Sequence, residues 1–94
     1  MKYTAIAERQ LLELKNNPAL KKRYNAVKKA INLLSQNPRH PGLHTHEYLT
    51  LTEKFGKRIF EAYAENHSPG AYRVFWYYGE DKGQITIIYV VPHT

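Results

Sequence analysis

Three of the chain's five histidines, His40, His44 and His46, fall within seven residues of "PRHPGLHTHE", residues 38–47. Imidazoles at this density can ligate a metal, move protons near neutral pH or simply decorate a loop. A three-histidine metal site needs rings that converge and outer groups that fix their tautomers. Here a Pro-Gly turn separates His40 from the other two, and a third ligand for His44 and His46 would have to come from elsewhere, with Glu47 the nearest candidate. The expectation is therefore no metal. His40 reads as an exposed linker residue, whereas His44 and His46, two apart, share a side if that segment is extended.

A second set of reactive side chains lies downstream, in "RIFEAYAE" (58–65) and "AYRVFWYY" (71–78). Both runs are rich in aromatic and β-branched residues, as is "QITIIYVV" (84–91), which is apolar on both faces and suits a central strand. "NHSPG" and "GEDKG" between them are turn chemistry, so the three runs predict an antiparallel meander. Alternation along the middle run puts Tyr72, Val74 and Trp76 on one face and Arg73, Phe75 and Tyr77 on the other. The face with Trp76 makes the better core. Arg73 is then expected on an uncovered face among aromatic rings, with Glu61 and Tyr63 sharing a face of the preceding strand. Such a set can grip a phosphate and stack a base, or serve only as a cross-strand pair.

The elements that must carry these strands are helical. Leu20, Tyr24, Val27, Ile31 and Leu34 recur at spacings of four and three, one face of an α-helix. Asn17-Pro18 supplies its start and Asn37-Pro38 its end. Ala7, Leu11 and Leu14 predict a shorter helix before it. Residues 2–6, "KYTAI", suit a strand or the lead into that helix, and both readings stand. The fold class is α+β: a helical hairpin on one face of a small antiparallel sheet, in a single domain over residues 1–94.

Charge sharpens the picture. The chain carries a formal +6; residues 1–50 hold nine basic and three acidic side chains, and residues 51–94 five of each. Lys21, Lys22, Lys28 and Lys29 lie on the polar side of the long helix, a surface suited to a polyanion or simply to water. There are no cysteines, which excludes disulfides and thiolate metal sites and fits a cytoplasmic protein. No apolar run of about eighteen residues and no signal pattern is present, so a soluble protein that is not secreted and has no membrane partner is expected.

In order along the chain, "NPALKKRYNAVKKAINLLSQNPRHPGLHTHEY", "IFEAYAENHSPGAYRVFWYY" and "ITIIYVVPHT" resemble the RelE/ParE superfamily of type II toxin–antitoxin systems. That family contains metal-independent, ribosome-dependent endoribonucleases that cut mRNA, together with gyrase inhibitors and members without demonstrated activity. The resemblance implies a RelE-like fold, a cognate antitoxin, the ribosome and mRNA as partners, and no cofactor. It places Arg73 at the family's strand arginine, facing the scissile phosphate. Glu61 and Tyr63 fall at polar positions of the strand before it, Glu61 suited to take the 2′-hydroxyl proton, and His93 near a C-terminal histidine able to protonate the leaving oxygen, or with these two roles exchanged. The same resemblance makes Lys21, Lys22, Lys28, Lys29, His44, His46, Lys57 and Arg58 the RNA-binding set. Two departures stand out. Glu61 and Tyr63 replace a lysine pair found in some of the nucleases, and the N-terminal strand is truncated or missing.

Overall fold

A computed structural model describes residues 1–65, 70–79 and 81–92. It is α+β, with three α-helices and a five-stranded mixed sheet in the order β1-β5-β4-β3-β2. The strands are β1 (Lys2–Tyr3), β2 (His46–Glu47), β3 (Phe60–Tyr63), β4 (Tyr72–Tyr78) and β5 (Ile85–Pro92). The helices are α1 (Ala5–Lys15), α2 (Lys21–Gln36) and α3 (Leu49–Phe55). β3, β4 and β5 form the expected antiparallel meander, while β1 joins β5 in parallel. "KYTAI" thus serves both ways: two residues pair as strand, and Thr4 then caps α1 by accepting a hydrogen bond from the Ala7 N–H.

Because β1 is so short, most of β5's outer edge would be left with unpaired backbone groups, a costly arrangement where water is excluded. Side chains from the start of α1 take over. The Thr4 hydroxyl donates to the Ile88 carbonyl at 3.1 Å, and the Gln10 side-chain oxygen accepts from the Val90 N–H at 2.7 Å. Tyr3 packs against the core, and burial pushes its phenol pKa above the ordinary 10.0.

α2 begins as the sequence predicts. Asn17 accepts from the Ala19 N–H, Pro18 opens a single 3₁₀ turn, and the α-helix follows to Asn37. Its Val27, Ala30, Ile31 and Leu34 pack with Ala7 and Leu14 of α1 against Ala62, Val74, Trp76, Ile85, Ile87 and Val90 of the sheet. Arg23 reaches from α2 to the far end of β3, where its guanidinium donates to the Glu65 carboxylate and to the Gly70 carbonyl.

The second face of the sheet is not open, which corrects the sequence-based expectation. Ile59, Phe75 and Ile88 form a small core there, and Leu51 of α3 packs on it. Tyr48 meets Phe75 edge-on at 5.1 Å, and Phe55 meets Tyr89 at 6.2 Å. α3 is held to β3 through both backbone groups of Ile59: its carbonyl accepts from the Tyr48 N–H, and its N–H donates to the Thr52 hydroxyl. Gly56, at φ 70°, ends the helix in the left-handed conformation that a side chain resists. No helix is expected here from the sequence, where Leu51 and Phe55, four apart before a glycine, are its one weak signal.

Gln10→Ala leaves the Val90 N–H without its acceptor. It is expected to cost about 1–2 kcal/mol, a fall in melting temperature of roughly 5–15 °C for a domain of this size. Thermal unfolding followed by circular dichroism measures it.

Candidate functional site

β2 is the element that assembles the site. It pairs antiparallel with β3, setting His46 opposite Glu61 and Glu47 opposite Phe60. In the next pair of strands Tyr63 lies opposite Arg73 and Glu61 opposite Phe75. By strand alternation, His46, Glu61, Tyr63 and Arg73 therefore emerge on one face, the one that carries α3.

Glu61 is 4% exposed. One of its oxygens lies 2.7 Å from His46 Nε2, and the other, Oε2, is buried without a hydrogen-bond partner among the described residues. His46 itself is open to solvent, its side chain 47% exposed. Its Nδ1 lies 3.0 Å from the His44 carbonyl. Both ring nitrogens thus face oxygen atoms of the protein.

Tyr63 is the centre of the cluster. His44 lies against it at 5.4 Å and His46 meets it edge-on at 5.8 Å. The Arg73 guanidinium sits 3.8 Å from the ring centroid. His44 adopts φ 48°, a left-handed conformation rare for a side-chain-bearing residue and recurrent at functional sites.

Arg73 does lie on the expected face, but it is 2% exposed. Its Nη1 donates to the carbonyls of Glu65 and Tyr72 at 3.3 and 3.2 Å, and Tyr63 covers it. The sequence reading put this guanidinium in the open. The structure encloses it, and two carbonyls near the end of β3 with an aromatic face offset the water it gives up. Nor does Arg73 pair with Glu61 across the strands; the carboxylate takes His46 instead.

The proposed RNA contacts separate into two groups. Lys57 lies 4.4 Å over the Tyr77 ring, on the same face as Glu61 and Arg73. Lys21, Lys22, Lys28 and Lys29 project into solvent from α2, whose buried face packs on the other side of the sheet. The structure does not bring these four together with the Glu61 cluster. Arg58 pairs with Glu47 at 3.0 Å and stacks on Phe60. His93 lies outside the described residues.

His40 is not an idle linker residue. Its Nδ1 accepts from the Gly42 N–H, which makes it the cap of the 3₁₀ turn Pro41–Leu43. Among the described residues, no three His, Asp or Glu side chains form a group suited to a metal ion. No helix among them is long and apolar enough to cross a membrane. No family model, curated protein or solved structure matches the chain.

Removing Arg73 is expected to damage the fold before it reports on any activity. Two hydrogen bonds at about 1 kcal/mol each and a desolvated cation–π contact worth about 2 predict a loss of roughly 2–4 kcal/mol for Arg73→Ala. A urea titration reads this directly, and an unchanged midpoint would mean that the guanidinium has no structural role.

Proposed function

We propose that the protein is the toxin of a type II toxin–antitoxin pair, of the RelE/ParE kind, and that it cleaves mRNA on the ribosome without a metal. The observation that supports catalysis is the dyad of an exposed His46 on a buried Glu61, beside Tyr63. A carboxylate that is enclosed and hydrogen-bonded to an accessible imidazole is the pairing general acid–base chemistry uses. In this reading the ribose 2′-hydroxyl gives its proton to a solvent water and attacks the adjacent phosphorus. The bond to the 5′-oxygen breaks, and that oxygen leaves with a proton from His46. A cyclic phosphate remains on one fragment and a 5′-hydroxyl on the other.

His46 takes the proton-transfer role that the sequence offered to His93. Glu61 Oε1 holds Nε2, so Nδ1 faces the substrate once it exchanges the His44 carbonyl for an RNA oxygen. Tyr63 supplies a ring for stacking and a hydroxyl near the phosphate. Arg73 acts mainly by fixing Tyr63 from beneath. The partners are the ribosome, mRNA and a cognate antitoxin, and the setting is the cytoplasm.

The enclosure of Arg73 favours a second reading, a member of the same family that acts by contact alone, as a gyrase inhibitor does. Its guanidinium is already committed to two carbonyls and a ring, whereas a nuclease would need a positive group at the phosphate.

Inducible expression read by growth and by transcript end mapping separates the two. His46→Gln keeps a hydrogen-bond partner for Glu61 and is expected to fold while losing about 10²–10⁴-fold in cleavage rate. Chelators should leave cleavage intact. Growth arrest without new transcript ends in the parent, undiminished in His46→Gln, sinks the nuclease and supports the contact mechanism.

A further inference from the structure

On the opposite side of β3 and β4, past the C-terminal end of α2, residues 38–45 overhang the sheet and enclose a cleft of about 410 Å³. Its floor is aromatic. Phe60 and Trp76 stack at 4.9 Å with 26° between their planes, and Tyr78 stands edge-on to both at 5.7 and 5.0 Å. Tyr78 is 51% exposed, an uncovered aromatic ring at the edge of the cleft. Arg39, Arg58, His40 and His44 line the remaining sides, and no carboxylate is among the described lining residues.

An apolar ring cluster rimmed by cationic and imidazole groups, with Thr45 and two prolines between them, suits a flat heteroaromatic ring joined to an anion. Bases stack on aromatic faces regardless of sequence, and arginine forks hold phosphate. His40 adds direction. With Nδ1 accepting from Gly42, its neutral ring carries hydrogen on Nε2 and can donate one bond. The Arg58–Glu47 pair is no obstacle, because Arg58 is largely exposed and such surface pairs are worth little.

We propose that this cleft holds one unpaired nucleotide of a single RNA strand, its base on Tyr78 and its phosphate on Arg39 and Arg58. His44 lines the cleft and also contacts Tyr63, so a strand seated there continues over the β2 edge to His46. The cleft is then the subsite for a nucleotide flanking the cleaved bond. That last placement rests on the ribonuclease reading; nucleotide binding in the cleft does not.

Trp76 is the chain's single tryptophan and lines the cleft, so its fluorescence reports occupancy. The probe is a short single-stranded 2′-O-methyl oligonucleotide, which cannot be cleaved. Saturable quenching is expected, with affinity falling about tenfold or more in Tyr78→Ala and also in the Arg39→Ala/Arg58→Ala double variant. All three side chains are exposed, so the variants should fold, which circular dichroism verifies. Binding of this probe involves no cleavage and is measured apart from transcript ends, so the cleft and the nuclease reading fail separately. Unquenched Trp76, or equal affinity in both cleft variants, overturns the proposal. So does equal binding by a free nucleoside monophosphate, which would make the ligand a small molecule, or by polyglutamate, which would make it an acidic protein.

Discussion

β4 is buried on both faces, and the rest of the structure follows from that. Val74 and Trp76 enter the larger core and Phe75 the smaller one, with Arg73 buried on that second side, all of them at most 7% exposed. A strand with two apolar sides needs two covers. α1 and α2 supply the first; α3 with its flanking segments supplies the second. The second cover is thin, seven residues of helix anchored through Ile59. It reaches Phe75 and Tyr89, and the strand ends carrying Glu61 and Arg73 are closed by His46 and Tyr63 instead.

The polar cluster can be understood as a consequence of that closure. A buried carboxylate without a partner is expensive, and His46 offsets the cost for one oxygen of Glu61. Arg73 is handled differently: two carbonyls and a tyrosine ring take it in. The two buried groups are therefore held separately, Glu61 by an accessible imidazole on one oxygen only and Arg73 by two carbonyls and a ring. That asymmetry divides the cluster into a group able to exchange protons with solvent and a group that braces it.

His44 links the two sides of the molecule. Its left-handed backbone ends the 3₁₀ turn after His40 and leads the chain into β2. Its ring lies against Tyr63 on one face of the sheet, and the residue also lines the aromatic cleft on the other. The helix lysines, by contrast, belong to the opposite surface from the Glu61 cluster. Any polyanion they attract is not thereby delivered to His46, so the chain's largest concentration of charge and its candidate chemistry are distinct features.

The sequence alone determined the three strands of the meander and the long helix, because each is encoded locally: aromatic and β-branched runs at 58–65, 71–78 and 84–91, and three-four spacing from Leu20 to Leu34. It also assigned Arg73 and Glu61 to the face away from the main core, since that follows from parity with Trp76. Exposure was another matter. Whether that face meets water depends on α3, whose few residues carry a weak periodic signal. The partner of Glu61 depends on β2, a strand of only two residues that exists because β3 offers an edge to pair with. His46 and Glu61 are fifteen positions apart, and only that register brings a histidine from a loop-like stretch onto a carboxylate. Local pattern sets which way a side chain points; what waits there is set by segments distant in sequence, and only the tertiary structure decides it.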